Sequence, residues 1–246
     1  RDPEMSRGLG DVYKRQSYVY FSIFAQKNKE NCLTNSLSCA KFMLLTMERI
    51  LFRILCFFPS QQGGYKMGNK AFDVTALGEL LIDFTENGNS AQGNPILEAN
   101  PGGAPCNVLA MLEKLGKKTA FIGKVGNDMF GTQLKNAVEE VGIDTRNLVI
   151  DNEVHTTLAF VHTYPDGDRD FSFYRNPGAD MMLTKDEIQE DLIRDSRIFH
   201  FGTLSSTHEG VREATRYAID VAKEAGCIVS FDPNLRPPLW LSLIHI

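Results

Sequence analysis

The 246-residue chain has no surplus of positive charge: 26 Lys and Arg stand against 31 Asp and Glu, a formal net charge of −5. That removes the electrostatic footprint on which binding to nucleic acid or to an anionic lipid surface depends, and no run of like charge forms an interaction tail. Its five cysteines, Cys32, Cys39, Cys56, Cys106 and Cys227, are scattered, odd in number and without a C-x-x-C pair. Neither a disulfide framework nor a zinc site is indicated, no metal ligand is assigned, and the usage fits a reducing cytoplasm. Long hydrophobic runs are missing too. The apolar stretch from Phe42 to Phe58 is interrupted by Glu48, Arg49 and Arg53. It has neither the length of a membrane-spanning helix nor a cleavage site of small residues, so no membrane association is expected. What is present, 43% hydrophobic and 23% charged residues, is the composition of a globular chain of one or two domains with a sizeable core.

The two ends read differently from the middle. Asp11 to Gln16 is DVYKRQ and Leu241 to Ile246 is LSLIHI. CTGTCTCTTATACACATC translates as LSLIHI, and its reverse complement translates in frame as DVYKRQ. An inverted repeat at both edges looks like a library adapter read as gene, so residues 1–16 and 241–246 are set aside. Residues 17–66 lack sustained periodicity and look like translated upstream DNA. Gly63 and Gly64 would then be a ribosome-binding GGA GGT before Met67 as the start. The expected organisation is therefore 1–66 outside the fold, 67–240 the genuine part, and 241–246 adapter.

From Ala71 onward, strands alternate with amphipathic helices, the pattern of an α/β fold with a mostly parallel sheet flanked by helices. Strands are expected at Phe72–Leu77, Ala120–Val125, Ile198–Leu204 and Cys227–Phe231. A helix is expected over Pro105–Leu115 with Val108, Met111, Leu112 and Leu115 inward, and Gly116 as its stop. Another spans Phe130–Val141 with Leu134, Ala137, Val138 and Val141 inward. Thr184 with Glu187 makes a capping box for a third, and His208–Ala225 forms a fourth. Thr156–Tyr164 and Asp170–Tyr174 are β-rich and joined by Pro165 to Asp168, which reads as a hairpin. With Leu80–Thr85 they form a small separate sheet. Such a sheet serves either as a lid over a cleft or as a dimer contact through its exposed face.

Four places could carry chemistry. Asp83 is an acid within the apolar run GELLIDF. A carboxylate buried there needs partners, and adjacent sugar hydroxyls match its two oxygens, whereas an edge-strand acid facing water is the plainer reading. In Pro101-Gly102-Gly103-Ala104-Pro105-Cys106-Asn107, two glycines open a helix and allow a ligand close to the backbone. Asn107 sits on its first turn, and the plainer reading is a loop with a cap. The segment is neither a P-loop nor a G-x-G-x-x-G fingerprint. Arg175, in FYRNPGAD, could reach a transferring phosphoryl group, against the commoner surface ion pair with Asp170 or Asp180. Phe231-Asp232-Pro233-Asn234-Leu235-Arg236 lies at the carboxyl end of a strand, where open α/β sheets bind ligands, although Asp-Pro-Asn is also good turn chemistry.

The order GELLIDF, PGGAPCN with Gly116 and Gly126 downstream, GKVGNDMFG, FYRNPGAD and FDPNLRPPLW resembles the N-terminal part of the ribokinase/PfkB carbohydrate kinases, fructokinase branch, over nearly all of 67–240. The resemblance implies a ribokinase-like fold whose small sheet is a lid and whose C-terminal part is missing. It implies a small-molecule sugar bound by Asp83, Gly102, Gly103 and Asn107. Arg175 then lies near sugar and phosphates in a supporting catalytic role, and Asn234 and Arg236 lie toward the nucleotide. It also implies ATP with Mg²⁺, and a homodimer of the intact protein through the lid. The activity expected is phosphorylation of D-fructose to D-fructose 6-phosphate, with 2-keto-3-deoxygluconate phosphorylation or a non-catalytic sugar-binding regulator as alternatives. The chain departs from the ribokinase pattern at Ala104, where a lysine is expected, and at Leu81, where an asparagine is; both disfavour ribose. Leu109 replaces a small residue and is expected to crowd its helix slightly. The family's Gly-Ala-Gly-Asp segment, whose aspartate is the catalytic base, does not occur in the chain, so this stretch alone is expected to be inactive.

Overall fold

A computed structural model describes residues 69–164 and 169–234. The expected organisation of residues 1–66 and 241–246 lies outside these, as do the Phe42–Phe58 stretch, the Pro165–Asp168 turn and Arg236. Among the described residues no helix is long and apolar enough to cross a membrane.

Five strands, β1 (Phe72–Leu77), β4 (Thr119–Gly126), β5 (Asp144–Asp151), β8 (Ser196–Gly202) and β9 (Ile228–Asp232), form one sheet in the order β5-β4-β1-β8-β9, all parallel. Parallel strands need crossovers, and these helices cover both faces. Period-2 alternation divides the side chains accordingly. Val74, Ala76, Phe121 and Val125 face one core with Leu109, Leu134 and Val138, from α1 (Ala104–Lys114) and α2 (Met129–Val141). Leu77, Ala120, Ile122 and Phe199 face the other, with Leu192 and Ile193 from α3 (Glu190–Arg194) and Val211, Ala214 and Ala218 from α4 (Glu209–Glu224).

A second sheet has the order β3-β2-β6-β7, formed by β2 (Leu81–Asn89), β3 (Pro95–Gly102), β6 (Leu158–Thr163) and β7 (Arg169–Tyr174). It is built from two excursions of the chain, β2–β3 after β1 and β6–β7 after β5, so both leave the carboxyl ends of parallel strands. Strand β2 pairs antiparallel with β3 and parallel with β6, and β6 pairs antiparallel with β7. Its base rests on α2: Phe84 meets Phe130 edge-on at 5.6 Å, and Gln133 Nε2 donates to the Ala99 carbonyl at 3.1 Å. The small sheet expected from three segments therefore exists, with β3 as a fourth strand that was not foreseen; β5 was not foreseen either.

Two expectations are corrected. Helix α1 turns Cys106, Leu109 and Ala110 into the core, while Val108, Met111 and Leu112 are half-buried and Leu115 is 55% exposed. Its rotation is set at its first residue, which is tied down from outside the helix, rather than by its most apolar stripe. Leu109, expected to crowd, is fully buried in the first core. The Glu187 carboxylate does reach back to the Thr184 N–H at 2.8 Å, but it closes a single 3₁₀ turn, Lys185–Glu187, because Ile188 leaves helical geometry to become buried. The Leu109→Ala substitution is expected to cost about 2–5 kcal/mol and Leu115→Ala less than about 0.5 kcal/mol in urea unfolding. Equal costs would show that the helix packs by the other face.

Candidate functional site

Strand order reverses direction at β1, whose neighbours β4 and β8 follow it on opposite sides, and in open α/β sheets such a switch point opens a crevice at the carboxyl ends. The segment leaving β1 there is Gly78-Glu79-Leu80, which runs into β2. Asp83 follows on β2, buried at 6% exposure, opposite Asn100 on β3 and Ala159 on β6.

The end of β3 returns to this segment and opens α1. At Gly102 a Cβ would lie 2.3 Å from Asp83 Oδ2, so the bare backbone there runs directly against the carboxylate. At Gly103 φ is +120°, and a Cβ would meet the Glu79 carbonyl oxygen at 2.3 Å; both the conformation and the space require glycine. The next amide, Ala104 N–H, donates to Glu79 Oε1 at 2.9 Å, which satisfies one of the free donors of the helix start. Asn107 is half-buried one turn on, with its amide N–H on the Gly103 carbonyl at 3.0 Å. Its side-chain Oδ1 is buried without a hydrogen-bond partner among the described residues. The structure thus sets the Asp83 carboxylate against Gly102 and the Glu79 carbonyl against Gly103, with Asn107 on the adjoining turn.

Glu79, which sequence reasoning passed over as part of the GELLIDF run, lies at the centre of this arrangement. Its side chain is buried, and its Oε2 has no hydrogen-bond partner among the described residues. Burial pushes its carboxyl from 4.5 up to about 7, opposed by hydrogen bonds from its own N–H and that of Ala104; the Asp180 charge adds to the rise and the Arg175 charge opposes it. The same burial raises the Cys106 thiol well above its usual range, with the Glu79 charge adding to it.

Arg175 is held in a buried network. Its Nε and Nη2 donate to Asp180 Oδ2 at 2.8 and 2.7 Å, Nη1 to Thr207 Oγ1 at 2.7 Å, and Nη2 to the Leu204 carbonyl at 3.2 Å. Asp180 also accepts from Thr157 Oγ1, in the segment entering β6. The pair with Asp180 named as the plainer alternative does form, but both side chains are 2% exposed rather than at the surface. Charge on Arg175 still reaches the segment leaving β1, since it acts on Glu79. Beyond β8 a 3₁₀ turn, Thr203–Ser206, supplies the Leu204 carbonyl to Arg175 on one side. On the other, Thr203 Oγ1 donates to the Asn234 carbonyl at 3.0 Å, and the Asn234 N–H donates to Asp232 Oδ1 at 3.0 Å. Asn234 therefore does lie past the carboxyl end of β9, in an Asp-capped turn joined to the same network.

The GKVGNDMFG segment has a structural part. Asp128 caps α2 through the Gly131 N–H at 2.7 Å and accepts from the Thr156 N–H and Oγ1, each at 2.8 Å. Burial alone would raise its carboxyl, and the Thr156 and Gly131 hydrogen bonds outweigh that and lower it. Lys124, also missed by sequence reasoning, is buried against Glu187 at 2.8 Å, Asp151 at 3.2 Å and the Met182 carbonyl at 3.1 Å. Among the described residues no three His, Cys, Asp or Glu side chains cluster to hold a metal ion.

A parallel sheet with helices on both faces, a small sheet springing from its carboxyl edge and an acid set against a glycine-opened helix define the ribokinase-like class of α/β fold. The sequence profile of the pfkB family carbohydrate kinases matches residues 71–245, and the chain belongs to that family. It is 46% identical over 171 residues to probable fructokinase-3 of Arabidopsis thaliana, covering 69% of this chain and 50% of that protein. It resembles the crystal structure of fructokinase from Xylella fastidiosa with a TM-score of 0.66 at 37% identity, covering 70% of this chain and 53% of the other. The same enzyme with bound ATP gives 0.65 at 36% identity, covering 70% and 55%. The chain spans about half the length of the curated relatives it matches.

Breaking the buried pair should be costly. Arg175→Met alone is expected to destabilise by about 3–5 kcal/mol, because it strands the Asp180 charge, and Arg175→Met with Asp180→Leu to recover at least half of that, both read by urea unfolding. Additive losses would show that the two side chains do not share an interaction. Glu79 makes a second prediction. Unfolded, it ionises above its ordinary 4.5; folded, it keeps its proton to about 7, so its contribution is present below pH 4.5 and is lost as pH rises through about 7. The stability of Glu79→Gln relative to the parent should therefore grow by on the order of 3 kcal/mol between pH 4.5 and 8. A pH-independent difference would mean that Glu79 is not buried as described.

Proposed function

We propose that the chain is the sugar-binding part of an ATP-dependent kinase that converts D-fructose to D-fructose 6-phosphate. The observation that carries this is the contact of the Asp83 carboxylate with the bare backbone of Gly102, at the switch point of the parallel sheet. A carboxylate with two acceptor oxygens takes adjacent sugar hydroxyls, and only glycine lets the backbone stand this close to it. Asn107 adds a side-chain amide one turn into the helix that the glycines open. The fructokinases among the relatives support fructose as the sugar.

Arg175 contributes by positioning: its charge acts on Glu79, and its hydrogen bond to the Leu204 carbonyl fixes the 3₁₀ turn that bonds Asn234. Asn234 and Arg236 are assigned to the nucleotide side. ATP supplies the phosphoryl group, with Mg²⁺ on its phosphates. The exposed Ile96, Leu97 and Tyr174 on the small sheet support a homodimer through that sheet, and the free thiols of Cys106 and Cys227 support a cytoplasmic setting.

Asp83→Asn is expected to weaken D-fructose binding at least about tenfold in a calorimetric titration with its fold intact by circular dichroism. Unchanged affinity would remove Asp83 from the site. The 246-residue chain should show no fructose-dependent ATP turnover, whereas the product of a reading frame continued through a Gly-Ala-Gly-Asp segment should. Turnover by the chain itself would place the base within it.

A further inference from the structure

We propose that Glu79 is a positioning residue for the sugar: it sets how closely the Gly102–Gly103 backbone stands to the Asp83 carboxylate. This rests on the reading of Asp83 as the sugar ligand. A single short segment, from the end of β1 into β2, grips the glycine turn at three successive residues. The Glu79 carbonyl lies where a Cβ of Gly103 would be, the Glu79 side chain takes the Ala104 N–H at 2.9 Å, and Asp83 lies where a Cβ of Gly102 would be. Asp83 and Glu79 are four residues apart, with Leu81 between them opposite Gly102 in the β2–β3 ladder, so one short segment carries both the sugar ligand and the grip on the turn. Moving the Glu79 grip moves the turn relative to Asp83. A displacement of about 1 Å in such a site costs up to about a hundredfold in function.

Glu79 is more than a cap. Most buried polar atoms are hydrogen-bonded, and here Oε2 is buried with no partner among the described residues. The charged groups that face it are Arg175 and Asp180 in the segment after β7, with the Cys106 thiol on α1 beside it. An ionised carboxylate holds an N–H at a helix start more tightly than a neutral carboxyl does, through charge assistance and the helix dipole. The grip on Ala104 therefore strengthens as Glu79 loses its proton, and fructose affinity rises with pH through neutrality.

The test is D-fructose titration of the 246-residue chain by amide NMR between pH 5.5 and 8.5, for the parent, Glu79→Gln, Glu79→Asp, Glu79→Ala and Asp83→Asn. The expected result is tighter binding by the parent at the high end, with the Ala104 amide shift following the same midpoint. Glu79→Ala and Glu79→Asp should bind about ten- to a hundredfold more weakly. Glu79→Gln should restore part of the affinity lost in Glu79→Ala, and its Ala104 shift and affinity should stay flat across the range. The proposal is overturned if Glu79→Asp binds as the parent does, or if Glu79→Gln keeps the parent's pH dependence. Should Glu79→Ala not fold, the Asp and Gln variants decide. If Asp83→Asn binds like the parent, the functional reading fails; if only Asp83→Asn loses binding, the reading stands and Glu79 has no positioning role.

Discussion

The buried pair of Arg175 and Asp180 is the constraint on which the arrangement at the sheet edge depends. Two opposite charges taken out of water hold only when both are present and their remaining donors and acceptors are satisfied. Here that satisfaction comes from three separate pieces of chain: Thr157 before β6, Leu204 and Thr207 after β8, and the segment after β7 that carries the pair itself. Strands β6 and β7 are therefore anchored at one end of their hairpin, on the body of the molecule. Any change in the angle of the small sheet at this root breaks several hydrogen bonds together.

The second constraint is the absence of two side chains. Asp83 and the Glu79 carbonyl occupy the places that Cβ atoms of Gly102 and Gly103 would take, so the excursion through β2 and β3 closes on itself with no spacer between its start and its end. That closure presents a helix start, an acid and an amide side chain together, although they arise from three different elements. It also accounts for the rotation of α1. With the first amide of the helix committed to Glu79, the residues that turn inward are Cys106, Leu109 and Ala110, while Val108, Met111 and Leu112 are left half-buried and Leu115 toward solvent.

Much of this was legible in the sequence where a single element speaks for itself. Strands β1 and β4 and helices α2 and α4 follow their apolar periodicity, and Gly142 ends α2 in the left-handed conformation that its position implied. Strand β5 escaped because DTRNLVID mixes polar residues into both faces, its Asn147 being buried by bonds to Glu187 and Gln189. Strand β3 escaped because it carries Pro95 and Pro101, which are tolerated only since it lies at an edge of the small sheet. The candidate site divides in the same way. Asp83 and the glycine pair could be found because their chemistry is local. Glu79 and Lys124 could not, since each is defined by partners far along the chain: Ala104 for one, Asp151, Met182 and Glu187 for the other. Their residue types alone read as surface charge.

On the kinase reading, two substrates must meet end to end, and the structure contains a short path between the places assigned to them. Glu79, on the sugar side, feels the charges of Arg175 and Asp180; Arg175 bonds the Leu204 carbonyl; and Thr203, one residue earlier, bonds Asn234 on the nucleotide side. The 3₁₀ turn between them is one turn long and joined to β8 through Gly202. Such a link transmits position well, because neither of its ends can shift without straining hydrogen bonds at the other. Phosphoryl transfer asks a protein chiefly for alignment of the attacking and leaving oxygens. On that reading, one 3₁₀ turn bonded on both sides refers the geometry of one site to the other through hydrogen bonds and a single peptide link, where two independently folded pockets would need separate alignment.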